Sequence, residues 1–176
     1  MKFKELSEVI LLNYSPDFLD KITKINNELL TKNIQVVLAE SCTGGLLSGL
    51  FTEISGSSKI FDRGFIVYSN QSKIDILGVD ENLIKKYGAV SFRVCEAMLV
   101  GALKNSKGNL AIAITGIAGP IGDTINKKVG NVFIGIGNSQ NHKVLEFNFS
   151  GNRQQIRYLS IENALEIIQN FITKYY

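Results

Sequence analysis

The sequence predicts an α/β protein, a three-layer α/β/α sandwich with a mixed, mostly parallel sheet. Short runs of β-branched and apolar residues alternate with stretches whose apolar residues recur at helical spacing, which indicates strands separated by helices. Two further strands, Val129 to Ile136 and Lys143 to Phe149, are separated only by the hairpin segment Gly137 to Asn141, so the sheet is mixed. Of the 176 residues, 45% are hydrophobic and 20% charged, enough apolar side chains for a folded core.

Two helical patterns open the chain. Leu6, Val9 and Ile10 share one face of the first, which predicts an N-terminal helical extension over residues 1–15. Pro16 suits the start of a second helix, because proline is favoured in the first helical turn. No Ser/Gly linker follows, so the chain from Pro16 to its end is predicted to be a single domain, residues 16–176.

The elements after these helices follow one another with short connections. In chain order they are a strand at Ile34 to Ala39, a helix at Leu46 to Ile54, a strand at Gly64 to Tyr68, a short helix at Asn70 to Leu77, a helix at Ser91 to Lys104, a buried strand at Leu110 to Ile114, the two hairpin strands, and a last helix from Gly151-Asn152 onward.

Charge and cysteine usage exclude several classes of function. The 19 Lys and Arg and the 16 Asp and Glu are scattered, without the like-charge run of a nucleic-acid tail or a membrane anchor. The longest apolar stretches fall far short of the roughly 20 residues that span a bilayer. Cys42 and Cys95 cannot form a disulfide framework, and the first residues do not read as a signal peptide. We expect a soluble, cytoplasmic protein that binds neither nucleic acid nor a membrane.

Ser41 to Gly45 lies where a predicted strand turns into a helix. The backbone N–H groups of Cys42, Thr43, Gly44 and Gly45 would face the space beside Ser41, and such donors stabilise an oxyanion or bind phosphate. An ordinary helix N-cap is the alternative, and the spacing alone favours it. The run lacks the span and the Lys-Ser/Thr ending of a P-loop.

Cys42 is a rival nucleophile, because a thiol at a helix N-terminus can have a lowered pKa. A cysteine in such a position is more often a small buried hydrophobe. The one histidine, His142, lies in the predicted hairpin and is interpreted as a solvated residue. One histidine excludes a multi-histidine metal site, and no Cys-x-x-Cys or His-Glu-x-x-His occurs, so we expect no metal.

With Ser41 as nucleophile, a residue other than histidine must accept its proton. Lysine can do so when burial lowers its pKa toward neutrality. Lys73 lies in the first turn of a predicted helix just after Tyr68, which ends a predicted strand, so the two side chains can converge on one point. A tyrosine hydroxyl there would relay protons or orient the lysine. A solvated lysine and a packed tyrosine ring are the alternative.

The loop after the strand Leu110 to Ile114 is a candidate ligand site. Thr115 offers a hydroxyl at the strand end, and Gly116 lets the backbone approach a ligand closely. A plain long connection is the equally favoured alternative. Arg153, at the start of the last helix, is a candidate anion ligand, although alone it would be interpreted as surface charge.

Several of these segments occur together in one order and spacing. They are Ala39 to Gly45, Gly56 to Ser58, Tyr68 to Asn70 with Lys73, Leu77 to Val79, Tyr87 to Ser91, Thr115 to Pro120, and Val129-Gly130. In this order the chain closely resembles the CinA C-terminal domain family, also known as PncC, the nicotinamide-nucleotide amidases. The resemblance covers roughly Asp17 to Thr173.

The resemblance implies hydrolysis of the carboxamide of nicotinamide mononucleotide to nicotinate mononucleotide and ammonia, a reaction of pyridine nucleotide recycling. It implies a small-molecule nucleotide substrate, no cofactor and no metal, and a homodimer or higher homo-oligomer. The family's catalytic residues carry over to Ser41, Tyr68 and Lys73, and its substrate-binding positions to Thr115, Gly116 and Arg153.

Three departures from the family pattern lie on the supposed substrate side. Ile121-Gly122-Asp123 stands where many relatives have Asp-Gly-Gly, Lys127-Lys128 where they have Lys-Pro, and Asn152 where they have Asp. These changes leave two alternatives open, an amidohydrolase acting on a different amide and a non-catalytic nucleotide-binding or regulatory protein. A DNA-uptake or damage-response role, which the family name suggests, is disfavoured by the scattered charge.

Overall fold

The computed structural model describes residues 16–122 and 127–176, and its five strands form one sheet. The strands are β1 (Val36–Glu40), β2 (Phe61–Ile66), β3 (Leu110–Gly116), β4 (Asn131–Gly137) and β5 (His142–Asn148). They are arranged in the order β2-β1-β3-β4-β5. β1 is parallel to β2 and β3, whereas β4 is antiparallel to β3 and β5, so β1, β2, β3 and β5 run in one direction. The predicted mixed, mostly parallel sheet and its terminal hairpin are confirmed.

Helices cover both faces of this sheet. They are α1 (Pro16–Thr31), α2 (Leu46–Thr52), α3 (Asn70–Leu77), α4 (Glu81–Tyr87), α5 (Phe92–Lys104) and α6 (Arg153–Tyr175), with a 3₁₀ turn at Ser57–Lys59. The buried apolar residues of α1, α2 and α6 pack together on one face, and those of α3, α4 and α5 pack on the other. The described chain is therefore the predicted three-layer α/β/α sandwich.

β1 is an interior strand of the sheet, and it carries the candidate nucleophile to its position. All of its residues are buried, because both faces of the strand are covered by helices. Val36 and Leu38 face the α1, α2 and α6 layer, and Val37 and Ala39 face the opposite layer. At its last residue, Glu40, the strand pairs with the end of β2 on one side and with β3 on the other. Loops that leave these strands therefore meet at one edge of the sheet, where ligands of α/β proteins bind.

Some predicted boundaries need correction. β2 begins and ends earlier than the predicted strand Gly64 to Tyr68, because it is an edge strand whose extent follows its pairing with β1. α4 was not among the predicted elements, although Asp80 caps its start and Gly88 follows its end. The predicted N-terminal extension, residues 1–15, lies outside the described residues.

None of the helices in residues 16–122 and 127–176 combines the length and the apolarity needed to cross a membrane.

Candidate active site

Ser41 and Lys73 form a buried pair at the edge of the sheet. Lys73 Nζ lies 3.0 Å from Ser41 Oγ, and the two residues are 1% and 7% exposed, respectively. Ser41 follows β1 directly, whereas Lys73 lies in the first turn of α3. That helix begins where it does because the Ser69 hydroxyl accepts the N–H of Ser72 at 3.0 Å. The cap thus places the lysine over the end of β1.

Three backbone carbonyls surround the Lys73 amine. Nζ donates to the carbonyl oxygens of Val67 at 2.7 Å, Tyr68 at 3.2 Å and Ser69 at 3.4 Å. A neutral amine has two hydrogens and one lone pair. When the two nearer carbonyls hold those hydrogens, the lone pair is left to face Ser41 Oγ. The connection between β2 and α3 therefore holds the amine in an orientation from which a neutral Lys73 could accept the Ser41 proton.

Burial sets the charge state of this amine. Desolvation lowers the pKa of Lys73 from its ordinary value of 10.5 to about 8, and the nearby Cys42 thiol acts in the opposite direction. Near pH 8 a large fraction of the lysine is therefore neutral and able to accept a proton.

Cys42 lies beside this pair but its thiol packs into the apolar core. Burial raises the pKa of the thiol to about 12, so the sulfur is protonated at physiological pH. Of the two interpretations of Cys42, the buried hydrophobe is the one that this environment supports.

The N–H groups of the turn after Ser41 are only partly available to a ligand. The Gly44 N–H donates to the Ser41 carbonyl at 3.1 Å, and the Gly45 N–H donates to Glu40 Oε2 at 3.0 Å. The prediction that Gly44 and Gly45 offer ligand donors is therefore wrong, because protein groups already hold them. The N–H groups of Cys42 and Thr43 make no hydrogen bond with another residue of the described chain. These two remain as candidate oxyanion donors.

Tyr68 approaches Lys73 through its backbone rather than through its side chain. Its hydroxyl accepts a hydrogen bond from Arg153 Nη2 at 3.1 Å, and the residue is 60% exposed. Tyr68 and Lys73 line the same cavity, but the Tyr68 hydroxyl is not among the hydrogen-bond partners of Lys73 Nζ, because β2 ends at Ile66 and Tyr68 lies in the loop beyond it.

A cavity of about 220 Å³ opens beside Ser41 and Lys73. It brings together the predicted residues Tyr68, Thr115, Gly116 and Arg153 with the pair. The predicted residue Cys42 also lines it, and the rest of its wall is supplied by Gly119 and by the apolar residues Ala89, Val90, Ile117, Ala118 and Ile121. The cavity therefore combines a reactive end with a lining that is partly polar and partly apolar.

Thr115 and Gly116 shape this cavity from the end of β3. The Thr115 hydroxyl donates to the Ala89 carbonyl at 2.9 Å, so its hydrogen is already used and only its lone pairs remain for a ligand. A Cβ on Gly116 would lie 2.6 Å from Val132 Cγ2. Packing on β4 therefore requires glycine at this position, rather than the close ligand approach expected from the sequence.

Arg153 bridges the mouth of the cavity. Its Nη1 donates to the Gly119 carbonyl at 3.0 Å, while Nη2 donates to Tyr68. It also lines a second, wider space of about 590 Å³, whose other walls are Ala118, Pro120, Lys128, Val129, Gly151 and Asn152. The guanidinium therefore stands between the cavity beside Ser41 and an outer groove.

Sequence reasoning missed two residues that hold the nucleophile turn. Glu40 binds backbone N–H groups with its carboxylate, and Arg157 Nη2 donates to the Thr43 carbonyl at 2.7 Å. Arg157 lies one helical turn after Arg153, a spacing that puts both on one face of α6 and could have indicated it.

Within the described residues, no three side chains of His, Cys, Asp or Glu converge on a point where they could hold a metal ion.

Comparison with known proteins matches the chain to one family. The model of the CinA C-terminal domain matches residues 20–172. A protein of Caldicellulosiruptor bescii, named as competence-damage inducible, is 46% identical over 147 residues, which are 84% of this chain and 36% of that protein. A CinA-like protein of Thermotoga neapolitana is 42% identical over 154 residues, 87% of this chain and 38% of that one. The chain thus spans little more than a third of the length of the curated relatives it matches.

Solved structures have the same fold. The competence/damage inducible protein CihA from Agrobacterium tumefaciens matches with a TM-score of 0.88 at 37% identity, over 92% of this chain and 98% of that chain. A CinA superfamily protein from Escherichia coli matches with a TM-score of 0.84 at 26% identity, over 91% and 94% of the two chains. Family model, sequence identity and fold agree: the chain belongs to the CinA C-terminal domain family.

Proposed function

We propose that this chain is a serine amidohydrolase that converts nicotinamide mononucleotide to nicotinate mononucleotide and ammonia. The observation that carries the proposal is the buried pair of Ser41 Oγ and Lys73 Nζ, 3.0 Å apart. A hydroxyl beside an amine whose pKa is lowered to about 8 is the arrangement that nucleophilic catalysis without histidine needs. The identity of the substrate comes from the family resemblance.

The reaction begins with transfer of the Ser41 proton to neutral Lys73 as Ser41 Oγ attacks the carboxamide carbon. The C=O pair of electrons moves to oxygen, and the N–H groups of Cys42 and Thr43 stabilise the oxyanion. Protonated Lys73 then gives its proton to the departing nitrogen, which leaves as ammonia. An ester between Ser41 and the substrate's acyl group remains.

Hydrolysis of this ester repeats the proton transfers with water. Lys73, neutral again, takes a proton from the attacking water, whose oxygen bonds to the acyl carbon. The Ser41–acyl bond breaks, Lys73 returns the proton to Ser41, and the acid product gives its remaining proton to solvent and leaves as the carboxylate. Lysine acts as base and then as acid in both halves, so no second titrating side chain is required.

The shape and charge of the site suit a flat carboxamide with an anionic tail. The wall of the cavity of about 220 Å³ includes the apolar residues Val90 and Ile117, against which a flat ring can pack. Arg153 stands at its mouth, where a phosphate in the outer groove would meet a guanidinium that binds it in bidentate fashion. In this proposal Tyr68 acts at the mouth with Arg153.

A second candidate is an amidohydrolase that acts on a different amide. It is favoured by Ile121, which lines the cavity, is 91% exposed, and lies where the sequence departs from the family pattern. The chemistry at Ser41 would be unchanged in this case, and the group recognised beyond the amide would differ.

The proposal is tested by incubating the purified chain with nicotinamide mononucleotide and measuring ammonia, with Ser41→Ala as the matched control. The substitution removes the nucleophile, so kcat is expected to fall about a thousandfold or more. Ammonia from both proteins at similar rates would contradict the mechanism. Binding of the nucleotide without ammonia release from the unmodified chain would favour the non-catalytic alternative, and neither binding nor release would favour a different amide.

A further inference from the structure

Helix α2 begins without a capping residue of its own. Gly45 occupies the N-cap position and has no side chain to accept the first N–H groups. The Glu40 carboxylate accepts them from the other side of the turn. Its Oε2 accepts the N–H groups of Gly45 at 3.0 Å and Leu47 at 3.2 Å, and its Oε1 accepts the N–H and hydroxyl of Ser48 at 2.7 and 2.6 Å.

This carboxylate is buried, since Glu40 is 1% exposed. It makes no ion pair with Lys, Arg or His of the described chain. Its charge is balanced by the positive end of α2 and by four donated hydrogen bonds, which are short and strong when the acceptor is charged. A buried carboxylate of this kind is costly to the fold unless its geometry is maintained.

Glu40 is the residue directly before the nucleophile. The Ser41 N–H donates to the Ile114 carbonyl at 3.0 Å, which anchors the turn to β3. The Glu40 carboxylate anchors the other end of the turn to α2. The intervening peptide groups of Cys42 and Thr43 are therefore held between two attachments.

We propose that Glu40 is a positioning residue for catalysis. Its carboxylate holds the turn so that Ser41 Oγ points at Lys73 and the Cys42 and Thr43 N–H groups stay unpaired toward the oxyanion. The inference rests on the proposed function, because it takes Ser41 as the nucleophile. It assigns to a strand-end glutamate a role that acts entirely through its neighbours.

The carboxylate is suited to this role because all of its partners are donors. In Glu40→Gln the amide nitrogen is itself a donor, and at either oxygen position it would face at least one backbone N–H group, which also donates. The turn must then shift away from the amide nitrogen, although the side chain keeps its volume. Ser48→Ala is the milder variant, because it removes one of the four hydrogen bonds and leaves the three backbone donors paired.

The test measures the rate at which a small fluorophosphonate modifies Ser41. In this reaction the serine oxygen bonds to phosphorus, fluoride leaves, and Lys73 accepts the proton, so the rate reports nucleophile geometry without the nucleotide. Glu40→Gln is expected to slow the modification about a hundredfold, the scale of a misplaced reacting group. Ser48→Ala is expected to slow it about fivefold, the scale of one lost hydrogen bond.

Amide hydrolysis supplies a second readout. In both variants kcat is expected to fall in proportion to the modification rate, with KM unchanged within about threefold, because Arg153, the proposed phosphate contact, shares no hydrogen-bond partner with Glu40. If the wild-type chain and Glu40→Gln are modified at Ser41 at the same rate, this inference is overturned and the proposed function is not. No reaction at Ser41 in the unmodified chain would instead overturn the proposed function, and this inference with it. If circular dichroism shows that Glu40→Gln does not fold, Ser48→Ala is the deciding variant. A rate of Ser41 modification in Ser48→Ala that equals the rate in the wild-type chain would overturn the proposal.

Discussion

The two sides of the cavity are built in different ways. On one side, Glu40, Ser41, Cys42 and Thr43 are buried, and hydrogen bonds to protein groups fix the turn at Ser41 and at Gly45. On the other side, Tyr68 and Ile121 are 60% and 91% exposed, and Arg153 holds the mouth by two single hydrogen bonds.

This difference assigns separate tasks to the two sides. A bond-breaking step needs reacting atoms held within a fraction of an ångström, and a buried turn that is hydrogen-bonded at both of its ends can hold them so. Recognition of the rest of a substrate tolerates exchange of exposed side chains on loops. We infer that the turn sets the class of reaction and the mouth sets the substrate, so the departures from the family pattern near Ile121 bear on substrate choice.

Loss of the base on the buried side is expected to have the largest effect. Lys73→Met keeps the length and apolar character of the side chain but removes the group that accepts the Ser41 proton. We expect kcat to fall about a thousandfold, within the range of general-base catalysis, in an ammonia-release assay. Lys85→Met is the matched control, because Lys85 is exposed on α4 and pairs only with Glu81 among the ion pairs described. Equal activity of Lys73→Met and the control would mean that the buried side does not hold the base.

The pH dependence of the rate is the next test of the buried side. The proposed reaction needs neutral Lys73, and burial lowers the pKa of that amine to about 8. Below pH 8 the neutral fraction falls about tenfold per pH unit, so kcat/KM is expected to rise with slope near one and level off above that pH. A rate that is flat between pH 6 and about 8 would contradict Lys73 as the base.

Changes at the mouth are expected to have the smallest effects and to alter binding. Arg153→Gln removes the charge offered to the phosphate, so we expect KM for nicotinamide mononucleotide to rise about tenfold, the scale of one charge-assisted contact, with little change in kcat. Tyr68→Phe loses only the partner of Arg153 and is expected to raise KM about threefold. Steady-state kinetics separates kcat from KM. A decrease confined to kcat in either variant would mean that Arg153 or Tyr68 takes part in the chemical step rather than in binding.

Periodicity predicted most of the fold because most elements are buried on a regular face. β1 and β3 are apolar runs, and α5 and α6 have clear caps, so their positions follow from local sequence. The edge strand β2 contains Asp62 and Arg63, and its limits follow from pairing with β1 rather than from its own pattern. The pairing of distant strands is not visible in a short stretch of sequence, so the limits of β2 could not be predicted.

The candidate site was predicted less completely than the fold. Spacing brought Ser41 and Lys73 to neighbouring strand ends, because both follow strands of one parallel pair. The direction of the Tyr68 hydroxyl depends on where β2 ends, and the role of Glu40 depends on N–H groups of a helix whose cap is glycine. Neither fact is visible in residue types alone, since a glutamate at a strand end is most often a solvated charge.

Burial of Lys73 has a consequence for the folded state as a whole. The pKa of its amine is about 8 in the folded chain and close to its ordinary 10.5 once unfolded. Well below pH 8 the amine is protonated in both the folded and the unfolded chain, so folding must desolvate a charge. Between pH 8 and 10.5 the unfolded chain holds more protons than the folded one, so the free energy of unfolding rises with pH. At neutral pH the amine thus lowers stability by an amount on the order of 3 kcal/mol. The same burial that lets Lys73 lose its proton near physiological pH therefore makes the folded chain less stable.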